Sequence, residues 1–514
     1  MGIVQDMAPY DLPPEAWSDG KNVRMFSGSV WKDFGNLQVF GALSGRPLGL
    51  FPIATATTQF YAYPGAAAVW ATDGTTHADI TRLAGAYTGS DADRWNGCSL
   101  GGILILNNGL DVPQAWMAPG LATKLVNLAN WPAGYTAKCM RTYKSYLIGM
   151  DMTESGTRIP YRVRWSDSAA AGSVPATWAL AAGNDARYWD LIESDGFVID
   201  CAPLGDVNYV YKDDSTHSME YIGGQFVFKF RKAFNFGMLA QDCVREWKGS
   251  HIVMTQDDIL MHNGASAESL LATKMRDWYR GRPDQTYFTR SFLALSETDK
   301  ELWACFPQQG QTFPDIALVI NTETGKCSIR DIPNTSSWMY GFIQTGSVIS
   351  TFDGFSGVSF DAMVGQFGSS NFAQGRKRLA MVSQAVNKAF LMEQGYNFDG
   401  VNFRSYIERT GLAIIGRDRQ GNPKVDFSTK KLLSRIWPKM RVANGTIVKV
   451  YAGGQETVDS PVVWKGPFDF RPGIDNEVCV DIEGRLHAVR FETTDGTYWK
   501  LDGYDIEIEP IGAY

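Results

Sequence analysis

Two pairs of adjacent aspartates are the candidates for acid–base chemistry in this sequence. They are Asp213-Asp214 and Asp257-Asp258. Glycoside hydrolysis uses two carboxyl groups at a fixed separation, one of them with a raised pKa. Each pair lies between two short apolar runs, where aspartate is favoured because its side chain bonds to the backbone of a tight turn. We therefore predict that both pairs shape hairpin turns and do not form an active site.

The histidines and glycines give no pattern of a metal or cofactor site. The five histidines are His77, His217, His251, His262 and His487, and none belongs to an HExxH or similar spacing. His251 and His262 flank one predicted hairpin and could approach each other, but structural histidines are the expected outcome. The chain has no Walker loop and no GxGxxG motif leading into a helix. We predict no catalytic residue, no bound metal and no cofactor.

Four short basic segments are the candidates for binding a charged partner. They are Arg231-Lys232, Arg276 to Arg282, Arg376 to Arg378, and Lys430-Lys431. The run Arg276-Asp277-Trp278-Tyr279-Arg280 mixes cations with aromatic rings and could suit single-stranded nucleic acid. The chain as a whole carries a formal charge of -7 with a pI near 5.4. Because broad nucleic-acid binding needs clustered Lys and Arg, we favour contacts with other protein subunits.

Composition indicates a folded protein made of many short strands. The chain has 514 residues, which is too long for one small core. It contains 44% hydrophobic residues, 52 glycines and 16 tryptophans, a composition that favours short strands joined by tight turns. Its seven cysteines are odd in number and show no CxxC spacing, so buried free thiols in a reducing cytosol are expected. We find no secretory signal and no membrane-spanning run, and expect a soluble protein made in the cytosol.

From about Leu48 to Phe360 the sequence repeats a unit of apolar strand, polar turn and second strand. We count about six units at a spacing of roughly 40 to 60 residues, the range of propeller blades. The segments that show the rhythm best are Phe51 to Asp79, Gly102 to Trp116, Ser145 to Trp165, Asp206 to Ile222, His251 to Met261, and Glu301 to Ile329. One segment, Ser266 to Tyr279, breaks the pattern and predicts a helix between blades. The predicted fold class is all-β, a roughly six-bladed β-propeller with a second β-rich, sandwich-like platform domain.

The repeated pattern of strand, turn and strand ends near residue 375, which predicts that a second domain begins there. We assign residues 46–375 to the propeller and residues 376–514 to a C-terminal β-rich platform. Residues 1–45 are predicted to form an N-terminal arm that packs with the platform. The last thirty residues predict a terminal β-hairpin, in which Asp495-Gly496 supplies the positive backbone angles of a tight turn.

Motifs at the two ends of the chain resemble one known family. The N-terminal end carries a proline-punctuated segment, Trp17 and the strand Asn22-Val23-Arg24, and Tyr406-Ile407-Glu408 with Thr410-Gly411 lies between the domains. The C-terminal end combines Gly484-Arg485, Val489-Arg490-Phe491 and Trp499 to Tyr504. This combination resembles the tail hub, or nozzle, proteins of short-tailed bacteriophages (podoviruses), also called tail tubular or packaged-DNA stabilisation proteins. The similarity extends over essentially the whole chain.

The resemblance implies a structural virion protein and not an enzyme. It implies a homohexamer, a ring below the portal and the adaptor proteins of the head-to-tail connector. That ring would extend the DNA channel, help retain the packaged genome, support its ejection, and attach tail fibres, spikes or a needle. Double-stranded DNA would pass without sequence-specific binding, and the protein would be located in the virion tail after assembly in the host cytoplasm. The residues implied to shape the distal domain are Arg485, Arg490, Trp499, Gly503 and Tyr504.

Two other functions remain open from the sequence. The first alternative is a glycan-binding or glycan-degrading β-propeller that acts on the bacterial surface. Sialidase-type propellers repeat the turn S-x-D-x-G-x-x-W, and the nearest approach here, residues 493–499, occurs once and lacks the residue between aspartate and glycine. The second is a protein-interaction propeller of a host, although WD and kelch signatures are missing.

Overall fold

The computed structural model describes residues 2–26, 28–343, 377–417 and 423–512. These residues form forty β-strands and one four-residue α-helix, α1 (Arg276–Tyr279), which confirms the all-β class. The N-terminal arm begins with a short 3-10 turn at Pro9–Asp11. Four strands follow it: β1 (Asp19–Lys21), β2 (Val23–Phe26), β3 (Ser29–Lys32) and β4 (Asn36–Val39).

Seven four-stranded antiparallel sheets make up the blades of a propeller within the described residues. Blade 1 contains β5 (Phe51–Ala54), β6 (Gln59–Pro64), β7 (Val69–Thr72) and β8 (His77–Asp79). Blade 2 contains β9 (Asn96–Leu100), β10 (Ile103–Asn107), β11 (Gln114–Trp116) and β12 (Val126–Asn127). Blade 3 contains β13 (Tyr135–Tyr143), β14 (Tyr146–Glu154), β15 (Thr157–Trp165) and β16 (Arg187–Asp190). Blade 4 contains β17 (Val198–Leu204), β18 (Val207–Lys212), β19 (Thr216–Gly223) and β20 (Val227–Phe234).

Three further blades complete the ring. Blade 5 contains β21 (Val244–Trp247), β22 (Ser250–Met254), β23 (Ile259–His262) and β24 (Ala267–Ser269). Blade 6 contains β25 (Phe292–Ser296), β26 (Glu301–Phe306), β27 (Ile316–Asn321) and β28 (Cys327–Asp331). Blade 7 contains β29 (Thr335–Gly341), β30 (Arg378–Ser383), β31 (Lys388–Met392) and, as its outer strand, β4 of the arm.

The blades close into a circle because their first strands contact one another in order. β9 contacts β13, and the contacts continue through β17, β21, β25 and β29 to β5 of blade 1. At the closure, the Leu50 amide donates to the Ser337 hydroxyl at 3.2 Å and the Ser336 hydroxyl donates to the Pro47 carbonyl at 2.6 Å. The middle strands, such as β10 and β26, are buried along their whole length, because each blade packs between two neighbours.

The predicted count of six blades and the predicted domain boundaries need correction. The seventh blade takes β30 and β31 from the range assigned to the platform, and Ala389 of β31 pairs with Val39 of β4 from the range assigned to the arm. The propeller therefore extends beyond residues 46–375 at both ends. A sequence period cannot show the complete blade, because its outer strand β4 (Asn36–Val39) lies in the arm whereas its other strands lie between Thr335 and Met392.

The platform is a sandwich of two five-stranded sheets. Its strands are β32 (Ser405–Leu412), β35 (Lys430–Val442), β36 (Val448–Gln455), β37 (Val463–Phe470), β38 (Val478–Gly484), β39 (Leu486–Thr493) and β40 (Trp499–Gly512), together with β1, β2 and β3 of the arm. A separate two-stranded sheet comprises β33 (Ile414–Arg417) and β34 (Pro423–Val425). In one sheet Gly20 of β1 pairs with Ile407 of β32, and in the other Val30 of β3 pairs with Leu501 of β40. The arm thus contributes to both layers.

Two local predictions are wrong. The segment 486–512 is not a hairpin, because β39 and β40 lie in different sheets of the sandwich and the turn 494–498 crosses between the sheets. Neither Asp495 nor Gly496 has a positive φ. The segment 266–279 is not one helix, because residues 267–269 form the outer strand of blade 5 and only the last four residues are helical.

Candidate functional site

The two aspartate pairs lie in hairpin turns, as predicted. Asp213 and Asp214 follow β18, where Asp213 accepts a hydrogen bond from the Phe197 amide at 2.8 Å and Asp214 accepts one from the Ser215 hydroxyl at 2.8 Å. Asp258 follows β22 and accepts hydrogen bonds from the Ile259 amide and the Ser269 hydroxyl. Burial raises the pKa of Asp258, but its carboxylate is occupied by these bonds and by Arg276 at 3.1 Å. Neither pair presents two free carboxylates to a substrate.

His251 and His262 do approach each other, and they do so through Tyr211. They are directly opposite in register, and the Tyr211 oxygen lies 2.7 Å from His251 Nδ1 and 2.8 Å from His262 Nε2. His251 Nε2 lies 2.9 Å from the Pro203 carbonyl, which can only accept, so Nε2 is the protonated nitrogen. All three side chains are buried, and burial lowers the pKa of each histidine to about 4. The cluster is a neutral hydrogen-bonded contact between blades 4 and 5.

An ion-pair cluster that the sequence did not indicate lies at the propeller axis. Asp242 lies just before β21, and its carboxylate forms ion pairs with Arg141 of blade 3 at 3.0 Å and with Arg94, just before β9 of blade 2, at 3.3 Å. Arg141 also binds Asp200 of blade 4 at 2.6 Å, and Arg245 of blade 5 lies 3.7 Å from Asp242. Blades 2 and 5 are not neighbours in the ring, so these contacts cross the axis. We call these five residues the axial cluster.

The axial cluster is held firmly by electrostatics. Burial alone would raise the pKa of Asp242, but the guanidinium groups of Arg141, Arg94 and Arg245 outweigh it and lower the pKa to about 2. Burial likewise opposes the charge of Arg141, but Asp200 and Asp242 raise its pKa well above the usual value. Arg245 stacks on the ring of Trp338 in blade 7 at 4.4 Å. Side chains from five blades therefore fill the axis.

Loops at one mouth of the axis reinforce this closure. Arg94 Nη1 donates to the Ser291 carbonyl at 2.8 Å, and Arg290 Nη2 donates to the Asp91 carbonyl at 2.9 Å, so the segment before blade 2 is tied to the segment before blade 6. The depression left there has an empty volume of ≈ 250 Å³. This volume is below the range usual for the site of a drug-sized ligand.

The N-terminal motif Asn22-Val23-Arg24 lies at the junction of the propeller and the platform. The Asn22 amide donates to the Ile329 carbonyl of β28, and its side chain donates to the carbonyl of Arg404 and to the carboxylate of Asp331. Asn22 has a φ of 56°, a left-handed conformation that asparagine tolerates better than most residues. One residue thereby joins the arm to blade 6 and to the segment that enters the platform.

Arg24 forms the charged centre of this junction. It binds Glu301 of blade 6 through two nitrogens at 3.1 and 2.6 Å, and Glu393, which follows blade 7, at 2.6 Å. Burial opposes its charge, but Glu301, Glu393 and Asp33 raise the pKa of Arg24 well above the usual value. Burial also raises the pKa values of Glu301 and Glu393, against the influence of Arg24. Nearby, fully buried Arg330 binds Asp33 at 3.0 Å and lies over Trp303.

The five C-terminal residues named from the resemblance lie in the platform. Arg490 pairs with Glu408 at 2.7 Å and covers the ring of Trp464 at 4.3 Å. Trp499 is fully buried, and Tyr504 packs between Trp17 and Phe491. The Arg485 amide donates to the Gln455 carbonyl, and Gly503 of β40 pairs with Lys439 of β35. The structure does not bring the five into one site.

The basic segments differ in how far their charge is neutralised. Arg276 pairs with Asp258 and Arg280 with Asp257, so the predicted nucleic-acid run is largely compensated. Lys430 pairs with Glu456 and Glu483, and buried Lys431 donates to the Asp426 carbonyl. Arg376 lies outside the described residues. Arg231 and Lys232, both exposed on β20, form no ion pair within the described part of the chain.

Comparisons with known proteins show no family, and the similar solved structures include β-propeller domains. No family model and no curated protein matches the chain. Similar solved structures include the WD40 β-propeller domain of Doa1 (12% identity, TM-score 0.37, 72% of this chain and 98% of that one). The β-propeller domain of Cps50 (Swd1) from Myceliophteria thermophila is another (8% identity, TM-score 0.40, 70% and 98%).

A third similar structure is PorZ, a bacterial surface component of the type-IX secretion system of Porphyromonas gingivalis. It shares 11% identity at a TM-score of 0.36, and the match spans 74% of this chain but only 43% of PorZ. Likenesses this distant carry no argument about function. The seven blades themselves define the class of this chain, a β-propeller protein.

The described residues contain neither a metal-binding group of side chains nor a membrane-spanning helix. Within ranges 2–26, 28–343, 377–417 and 423–512, no three His, Cys, Asp or Glu side chains are grouped so as to hold a metal ion. No helix in the same ranges is long and apolar enough to cross a membrane.

Proposed function

We propose that this protein is a structural component of a short phage tail, a hub or nozzle subunit without enzymatic activity. The observation that carries the proposal is the position of the end motifs that resemble that family. Asn22 and Arg24 join the arm to blade 6. Of the strands bearing the C-terminal motif, β39 pairs with β32, the strand beside β1 of the arm, and β40 pairs with β3 of the arm itself. The two end motifs thus meet where the arm, the propeller and the platform join, as expected if this chain has the same architecture as the family it resembles.

In this proposal the DNA channel runs between subunits and not through the propeller. The axial cluster fills the centre of the blades with Arg94, Arg141 and Arg245 around Asp242. A DNA duplex would need that centre to be empty along its whole length. A closed ring of subunits supplies a separate central opening, and such a ring needs two different patches on each subunit.

The remaining parts of the proposal follow the resemblance. The ring is a homohexamer in the virion tail, located below the portal and adaptor proteins. It extends the channel, helps retain and release the packaged genome, and attaches fibres, spikes or a needle. The net charge of -7 suits a channel wall past which DNA slides without sequence-specific binding.

The test is electron microscopy of the purified protein, alone and mixed with the portal and adaptor complex of its phage. We expect a six-fold ring that caps the connector, with the propellers arranged around a central channel. A single propeller in both samples would contradict the hub function. Binding of bacterial surface glycans by that single propeller would then favour the alternative of a glycan-binding protein.

A further inference from the structure

The outer strand of blade 4 differs from the outer strands of the other blades in length. β20 has eight residues, whereas β8, β12, β16, β24, β28 and β4 have between two and five. Short edge strands limit unwanted pairing, because they offer few free backbone groups. β28 is additionally covered by the arm, since the Ile3 and Asn22 amides donate to its carbonyls. On its outer side, β20 pairs with no strand of the described chain.

β20 also carries positive charge that the molecule does not neutralise. Lys229, Arg231 and Lys232 are exposed and form no ion pair with any residue that the structure describes. Glu220 is opposite Lys229 in register, yet the two side chains do not come within ion-pair distance. The rest of the chain is acidic, with a net charge of -7. The cations of β20 therefore form a local positive edge on an acidic protein.

Exposed aromatic side chains lie beside this edge. Trp189 of blade 3 is 50% exposed and stacks in parallel with Phe230 of β20, with 6.1 Å between ring centroids and 5° between planes. Phe226, just before β20, is 66% exposed, and Tyr221 of β19 is also exposed. Solvent-exposed aromatic groups of this kind are enriched at protein interfaces.

Two of the three cations, Lys229 and Arg231, lie on the face of the edge opposite the aromatic rings. Side chains alternate along a strand, so Lys229 and Arg231 point to one face while Phe228, Phe230 and Lys232 point to the other. A strand added beside β20 would place its alternate side chains next to the cations on one face and next to Trp189 and Phe230 on the other. The edge thus matches a segment in which acidic and apolar residues alternate.

We propose that β20 is a docking edge for an extended segment of a partner protein with alternating acidic and apolar residues. The segment pairs with β20 as a fifth strand of blade 4. Its carboxylates lie beside Lys229 and Arg231, and its apolar side chains cover Trp189 and Phe230. An alternative role for the cations is to prevent unwanted strand pairing at this edge. That role does not explain the whole surface, because a single charge is enough to disfavour such pairing and exposed aromatic rings promote association. This inference goes beyond the proposed hub function and does not depend on it.

The test uses the full-length protein and a fluorescently labelled, end-capped ten-residue peptide that alternates glutamate and valine. We expect saturable binding by anisotropy that weakens as salt rises from 0.05 to 0.5 M. The variant Lys229→Glu/Arg231→Glu should bind at least about tenfold more weakly, because both attractive contacts become repulsive. Trp189→Ser should weaken binding while keeping its salt dependence. All three substituted side chains are exposed, so the fold is expected to be retained.

Matched controls separate this edge from general charge effects. Lys465→Glu makes the same change as Lys229→Glu on another exposed edge strand, β37, and should leave binding unchanged. A peptide with glutamine in place of glutamate should bind at least about tenfold more weakly. The proposal is overturned if the glutamate peptide does not bind, if the glutamine peptide binds equally well, or if Lys465→Glu weakens binding as much as the single variant Lys229→Glu. Preferential binding of an oligothymidine that displaces the peptide would identify a nucleic-acid site and would also overturn it.

Discussion

Replacing Arg24 with methionine should weaken the junction between the propeller and the platform more than any exposed ion-pair substitution. Methionine keeps much of the volume of arginine but removes the three hydrogen bonds to Glu301 and Glu393. The side chains of Glu301 and Glu393 are only 9% and 12% exposed, so they would lose their cation and gain little water. Breaking a buried ion pair by removing one partner costs about 3–5 kcal/mol of stability.

The loss should depend on pH in a defined direction. Burial already raises the pKa values of Glu301 and Glu393 in the folded protein, and Arg24 opposes that rise. Without Arg24 the two pKa values rise further, so the folded variant binds more protons than the unfolded chain over a wider pH range. Stability of the variant therefore falls as pH rises through these pKa values. The penalty of Arg24→Met should be smaller at pH 5 than at pH 8.

Urea unfolding followed by tryptophan fluorescence, at pH 5 and at pH 8, measures both effects. Arg441→Met is the matched control, because Arg441 is exposed and pairs with Asp502 at 3.2 Å; it should cost less than about 1 kcal/mol at either pH. If Arg24→Met cost no more than Arg441→Met, or if its penalty shrank with rising pH, the assignment of Arg24 as the centre of the junction would be wrong.

Three further outcomes are expected. Deleting residues 1–24 removes β1 and part of β2, so the melting temperature of the platform should drop, and an unchanged calorimetric profile would count against the pairing of arm and platform. Tyr211→Phe removes the hydroxyl between His251 and His262 and should lower the free energy of unfolding by about 1–3 kcal/mol. Because burial holds both histidine pKa values near 4, the stability of the wild-type protein should decline as pH falls from about 6.5 to 4, and a flat profile over that range would refute the buried cluster. Of the seven thiols only Cys479 is exposed, so a thiol reagent should label it fastest in the native protein, and Cys479→Ser should abolish the fast phase.

The hairpins of the blades could be predicted from sequence because their strands are neighbours in the chain. His251 to Met254, the turn at Asp257-Asp258 and Ile259 to Met261 show the local signal, an apolar run on each side of polar turn residues, and the structure pairs these strands in that register. The outer strand pair of blade 7 gave no such signal, because β4 and β31 are remote in sequence and meet only when the ring closes. The segment 486–512 was wrongly predicted to be a hairpin because its strands are adjacent in sequence but do not pair with each other. Its two strands are neighbours in sequence, but each finds partners in a different sheet.

The axial cluster was invisible to motif reasoning because its members have no fixed spacing. Arg94, Arg141 and Asp242 come from different blades, and only the closed ring brings them together. A weak signal existed in Asp200, a carboxylate within the apolar run Val198 to Cys201. A charge inside such a run usually needs a partner. Sequence can therefore indicate that a partner exists, but the topology decides which residue it is.

The arm imposes an order on how this chain can become native during synthesis. Residues 19–39 leave the ribosome early, yet the strands they pair with, β31, β32 and β40, are made hundreds of residues later. Six blades can form by local pairing as they appear, while the seventh blade and the whole sandwich must wait until the chain is nearly complete. During that interval the edges of β1, β3 and β4 are without their partners. We therefore expect the last step of folding to involve strands of both the propeller and the platform.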